Sequence, residues 1–128
     1  LVTLDILSVN LFNGQMESLK AGAAASLLFS KGRVSRLERS SLPVGILRDI
    51  QFERQTDTLG DGDLLLLMSD GALSGGLGAV EEILQQFDPV KTSLKSLTQA
   101  IASYARGKQT VRQDDVSVVA LMVHRRPA

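Results

Sequence analysis

The chain has 128 residues, with 14 Lys+Arg balanced by 14 Asp+Glu, one histidine and no cysteine. That length fits one domain with a single core, able to remove about two thirds of its unfolded surface from water. The composition excludes disulfides, thiolate chemistry and cysteine-ligated zinc, and zero net charge without a basic, aromatic-interleaved stretch argues against a nucleic-acid face. No apolar run reaches bilayer-spanning length and no signal-peptide pattern opens the chain, so a soluble chain without membrane contact, compatible with a reducing cytosol, is expected.

In chain order, strands come first and helices later. Leu1 stands at the start of a strand pattern with no initiator Met, which suggests a piece of a longer protein. Residues 2–12 are rich in Val, Ile, Leu and Thr, and Asn13-Gly14 then predicts a hairpin into a second strand over 15–21. Lys31-Gly32 predicts another hairpin between 26–29 and 33–37. Residues 48–58 partly alternate, with Ile50 and Phe52 on one face, and read as a half-exposed strand. Residues 64–68 form an uninterrupted apolar run that Ser69, Asp70 and Gly71 stop abruptly. The Gly-rich stretch after it lacks any phosphate-loop spacing and reads as a flexible turn. Helical spacing then places Val80, Ile83 and Leu84 on one helix over 79–87, and Leu94, Leu97 and Ile101 on another over 93–106, with Asp88-Pro89 between them. A polar connection leads into a last strand through Val116, Val118, Val119, Leu121 and Val123. Tyr104 and the four Phe residues are too scattered for a stacking platform and read as core.

The chemistry concentrates at two strand ends. Asp70 follows the 64–68 strand, whereas Asp114 and Asp115 precede the last one. If these strands pair antiparallel, the acidic ends meet at one end of one sheet, within reach of a shared Mg²⁺ or Mn²⁺. Asp, Ser and Gly are also ordinary turn residues, so the residues alone favour SDG and QDD as punctuation around two core strands, acidic turns being common and metal sites rare. The lone His124 sits beside Arg125 and Arg126 near the tail and reads as a solvated end residue, which leaves no Ser/His/Asp triad and no histidine-ligated zinc. Arg106, Lys108 and Arg112 read as a solvated loop and are not assigned to a site.

Taken in order, TLDI (3–6), ESLKAGAAASLLF (17–29), LPVGIL (42–47), LLLLMSDG (64–71) and DDVSVVALMV (114–123) resemble the metal-dependent type 2C protein phosphatases. More narrowly they resemble the bacterial branch typified by stage II sporulation protein E. The resemblance implies an α+β fold in which two packed antiparallel sheets are flanked by helices, an αββα sandwich. Residues 1–128 would be one domain, the incomplete C-terminal portion of the phosphatase domain. It also implies two Mn²⁺ or Mg²⁺ ions and a metal-activated water that attacks phosphorus directly, so no side chain is assigned as a catalytic nucleophile. Asp70 matches the family's Asp-Gly ligand, and Asp114 matches the first acid of its final acidic pair. Because neighbouring side chains on a strand face opposite ways, Asp115 is given a supporting or turn role. Gly71 is carried over as the tight neighbour of Asp70. The implied substrate is a phosphoserine on an anti-sigma-factor antagonist. The implied setting is the cytoplasm, with the parent protein open to tethering at a membrane through an N-terminal region outside this chain.

The family's metal-bridging Asp, in a D-G-x-G-x-G context, has no counterpart here. Asp61-Gly62 falls at the turn feeding the 64–68 strand, Asp5 has no Gly after it, and the family's Gly-Asp element reads Gly22-Ala23. The chain therefore carries about half a metal centre, and alone it is expected to bind metal weakly, to be nearly silent as a catalyst and to be prone to self-association. Two other readings stand beside the enzyme. A catalytically inactive phosphatase-like domain kept for protein interaction has no need of both Asp70 and Asp114, and an unrelated ligand-binding β domain does not explain the ordered run of matched segments.

Overall fold

The computed structural model describes residues 3–37, 53–110 and 113–126. Among them, strands β1 (Leu4–Val9), β2 (Gln15–Ala21) and β5 (Glu53–Thr58) form one antiparallel sheet in the order β1-β2-β5. Strands β3 (Ser26–Ser30), β4 (Arg33–Leu37), β6 (Leu64–Met68) and β7 (Val118–Met122) form a second, in the order β4-β3-β6-β7. Two helices, α1 (Leu77–Gln85) and α2 (Leu94–Lys108), complete the α+β architecture expected from sequence. The segment LPVGIL and the proposed strand residues 48–52 lie outside the described residues.

The apolar run of β6 is continuous because both its faces are buried, and strand alternation sends successive side chains to opposite sides. Leu64, Leu66 and Met68 join Leu27 beneath Val80 and Leu84 of α1 and Leu97 and Ile101 of α2. Leu65 faces the other way with Leu28, against Met16, Leu59 and the inward residues Leu7 and Val9 of β1. The layers are therefore small sheet, large sheet, helices. Each fully buried Leu in this stack contributes about 1.5–3 kcal/mol of transfer free energy.

Local chemistry sets the turns. Lys31 and Gly32 both take positive φ, 50° and 76°, as a two-residue hairpin between Ser30 and Arg33 demands. The first hairpin is longer than the Asn13-Gly14 signal implies. Pairing ends at Val9 and Met16, because the Asn10 side-chain oxygen accepts from Phe12 N (2.9 Å) and turns the chain out of the strand. Leu11 and Phe12, expected in the strand, thus stand exposed on the loop. The aromatic residues accordingly do not all enter the core. Phe29 and Phe87 pack at its margin and Tyr104 is 38% exposed, while Phe52 lies outside the described residues.

Helix α2 begins where Ser93 Oγ accepts from Ser96 N at 3.1 Å, a side-chain N-cap. The connection before it is fixed by Asp88, whose carboxylate accepts from Val90 N and whose carbonyl accepts from Lys91 N and Thr92 N. Both helices differ from the sequence expectation by about one half-turn at their ends. No described helix is long and apolar enough to cross a membrane.

Helix α1 is tied to β4 by an ion pair. Arg36 donates to Glu81 through Nε (3.2 Å) and Nη2 (2.6 Å). These hydrogen bonds hold the Glu81 carboxyl below its ordinary range, opposed by desolvation and helped by the guanidinium charge. A carboxyl depressed by folding contributes stability above its unfolded value, and that contribution is lost as pH falls through the folded one. The pair is partly solvent-screened, so Arg36→Ala is expected to cost at most about 1 kcal/mol at neutral pH. Urea unfolding should show this difference fading in acid, as pH falls below the ordinary glutamate range.

Candidate metal centre

Asp70 leaves the carboxyl end of β6, and the antiparallel pairing of β6 with β7, from Leu64 opposite Met122 to Met68 opposite Val118, brings the approach to β7 beside it. The two acidic segments therefore share one end of the large sheet, as the strand pattern anticipates. The pairing extends one step past β6: Ser69 N donates to Ser117 O (3.0 Å) and Ser117 N donates to Ser69 Oγ (2.8 Å). Ser69 Oγ also donates to the Asp115 carbonyl at 3.3 Å.

Gly71 brings the segments into contact. It is buried, and a Cβ built on it would collide with the Asp115 carbonyl oxygen, standing 2.9 Å from that carbonyl carbon and 3.5 Å from the Asp114 carbonyl carbon. The Asp114–Asp115 backbone, closest at the Asp115 carbonyl, thus crosses directly over the residue next to Asp70, and only glycine permits that approach.

Two features differ from the sequence expectation. Residues 70–73 form a short 3₁₀ turn, with Ser74 Oγ donating to Gly71 O at 2.7 Å, in place of a flexible Gly-rich turn. Strand β7 starts at Val118, so Asp114 and Asp115 lie ahead of the strand, and strict alternation of strand faces does not govern which of them turns towards Asp70. Asp114 Oδ1 instead accepts from Asp115 N at 2.9 Å, which fixes the orientation of its carboxylate.

The sequence reading missed Gln109. Directly after α2, its Nε2 donates to Ser74 Oγ (3.1 Å), Asp114 O (3.2 Å) and Gly71 O (3.4 Å), and its Oε1 accepts from Asp114 N (3.1 Å). One amide therefore joins the helix end, the 3₁₀ turn and the Asp114 backbone. No periodicity or motif marks a single Gln in a polar connection.

Asp70, Asp114 and Asp115 are all exposed to solvent. Hard oxygen donors at a water-accessible corner suit Mg²⁺ or Mn²⁺, which retain waters among their ligands. Among the described residues no group of three or more His, Asp or Glu gathers to hold a metal. Asp70 and Asp114 could supply at most part of the ligand set of a hard cation. Of the nearby basic residues, Lys108 lies over the Tyr104 ring at 5.4 Å from its centroid, and Arg112 is outside the described residues. His124 is exposed, in keeping with its reading as an end residue.

The sequence model of the family Stage II sporulation protein E (SpoIIE) matches residues 1–124. Stage II sporulation protein E of Bacillus subtilis (strain 168) is 34% identical over 73 residues, covering 57% of this chain and 9% of that protein. The solved phosphatase domain of SpoIIE from Bacillus subtilis superposes with a TM-score of 0.78 at 24% identity, over 98% of this chain and 57% of the solved one. The catalytic domain of the serine/threonine protein phosphatase PstP, in complex with 2 manganese ions, superposes with a TM-score of 0.68 at 20% identity, over 96% of this chain and 59% of that one. At these identities the structural likeness shows the fold alone. The chain spans 57% of the solved phosphatase domain and a far smaller share of the curated relative.

Proposed function

The chain belongs to the stage II sporulation protein E family of type 2C-like phosphatase domains, and on that premise we propose that it forms the C-terminal portion of a Mn²⁺- or Mg²⁺-dependent serine/threonine protein phosphatase domain. The observation that supports the reading is the packing of Gly71 under the Asp115 carbonyl, which brings the segments carrying Asp70 and Asp114 together at one solvent-open corner. Asp70 and Asp114 are the metal ligands in this proposal, and Asp115 supports Asp114 through its backbone N–H. A divalent pair, when bound, neutralises the phosphoryl oxygens and activates the attacking water. The chain's own contribution is to bring the backbones that carry the two carboxylates together beside the β6–β7 ladder, with Ser69 and Gln109 pinning the Asp114–Ser117 stretch. The remaining ligands of a two-ion centre are proposed to come from outside the described residues.

The proposed substrate is a phosphoserine on an anti-sigma-factor antagonist in the cytoplasm, an assignment supported by family analogy. The test is a phosphoserine-peptide assay on the complete parent domain with Mn²⁺ added and then chelated. Turnover that follows the added ion supports the reading, and a folded domain without turnover at any Mn²⁺ level rejects it. Within the acidic pair, Asp115→Asn is expected to lower turnover less than Asp114→Asn, and the reverse ranking would assign the ligand to Asp115.

A further inference from the structure

A second polar cluster lies inside the sandwich, and the metal reading leaves it unused. Lys20, on β2, is only 2% exposed. Its ammonium donates to Asp5 Oδ2 (2.7 Å), Ser26 Oγ (2.8 Å) and Ala24 O (2.9 Å). Asp5 is its cross-strand partner on β1, and Ser26 opens β3 on the other sheet. One charge therefore ties together both sheets and the segment that crosses between them, where Gly22 takes φ +65°.

The cluster's place in the fold gives it a consequence. Strand β3 runs antiparallel to β6, with Leu27 opposite Leu66 and Phe29 opposite Leu64, so the start of β3 lies beside the end of β6 from which Asp70 follows. Lys20 and the acidic corner occupy the same end of the sandwich. Stability gives a poor account of the buried pair, because a well-packed apolar pair at such a site is often as stable or more so. Asp5 Oδ1 is moreover buried with no hydrogen-bond partner, a further cost. What the ammonium supplies, and no apolar side chain could, is a fixed set of donor directions that dictates the path of residues 21–25.

We infer that Lys20 is a positioning residue for the reaction, holding the sheet-crossing segment 21–25 in the path that shapes the phosphoryl site beside Asp70. This rests on the phosphatase reading above. In the complete parent domain, Lys20→Met should lower both the unfolding midpoint and kcat, since it strands the Asp5 carboxylate. The double variant Asp5→Leu/Lys20→Met should recover the midpoint while kcat for the phosphoserine peptide stays down by ~10- to 100-fold and KM changes little. Hydrogen exchange in the same parent domain gives a readout independent of activity, and amides of residues 22–26 should exchange at least about tenfold faster in the double variant. Recovery of kcat together with the midpoint would overturn the inference, as would unchanged exchange. A wild-type parent domain without turnover would instead reject the phosphatase reading, and the exchange experiment would still decide whether Lys20 sets the segment's path.

Discussion

Replacing Asp70 by asparagine in the complete parent domain is expected to lower Mn²⁺-dependent hydrolysis of a phosphoserine peptide by at least about a hundredfold, with Asp114→Asn close behind. Asparagine keeps the size of the side chain but removes the charge and one anionic oxygen, which a hard cation requires of its ligands. The fold should not suffer. Asp70 is exposed, and the hydrogen bonds that close its corner run through Ser69, Ser74, Gln109 and the backbone. Asp114→Asn retains an amide oxygen able to accept from Asp115 N, so its backbone should also keep its path. Thermal unfolding should place both variants near the parent while turnover collapses, with saturation by Mn²⁺ shifted to higher concentration. Near-normal turnover in either variant would reject that residue as a ligand.

The sequence revealed the elements whose boundaries local chemistry dictates. Strands β2, β4 and β6 occur at the residues that the Asn13-Gly14 pair, the Lys31-Gly32 turn and the Ser-Asp-Gly stop indicated. It misjudged β1, because Leu11 and Phe12 continue an apolar pattern that only the Asn10 side chain interrupts. The 3₁₀ turn after Asp70 was hidden, since a stretch so rich in glycine shows no helical propensity of its own and is held by Ser74 and Gln109 from outside. That the Asp70 and Asp114 segments share one end of the sheet followed from antiparallel pairing, a rule of strand direction. Gln109 and the burial of Lys20 did not follow from any rule. Each depends on long-range packing that leaves no local pattern, and Lys20 occupies a position where a charged residue ordinarily signals a solvated face.

Gly71→Ala is the substitution expected to damage stability and activity together. An added methyl group meets the Asp115 carbonyl, and that backbone has little freedom to retreat. It is held by Ser69 Oγ at Asp115 O, by the Ser69–Ser117 pair and by Gln109 at Asp114. Relief requires the 3₁₀ turn and the Asp114–Asp115 segment to separate by about an ångström, a displacement that costs a positioned catalytic site roughly a hundredfold in rate. The accompanying overpacking should cost about 1–3 kcal/mol. Gly75 supplies the control. A Cβ there would collide with Tyr104 Cε1 and stand 3.0 Å from its Cδ1 and 3.1 Å from Lys108 Cγ, but these are side chains at a half-exposed surface, where the obstacle at Gly71 is backbone. Gly75→Ala should therefore cost less than Gly71→Ala, since the Tyr104 ring can shift where the Asp115 backbone cannot, and its removal of backbone freedom from the unfolded chain works in its favour. Thermal unfolding and Mn²⁺-dependent turnover of the two variants side by side decide the matter: equal, mild effects would mean that the Asp114–Asp115 segment yields easily and that Gly71 does not set the spacing of the two acidic residues.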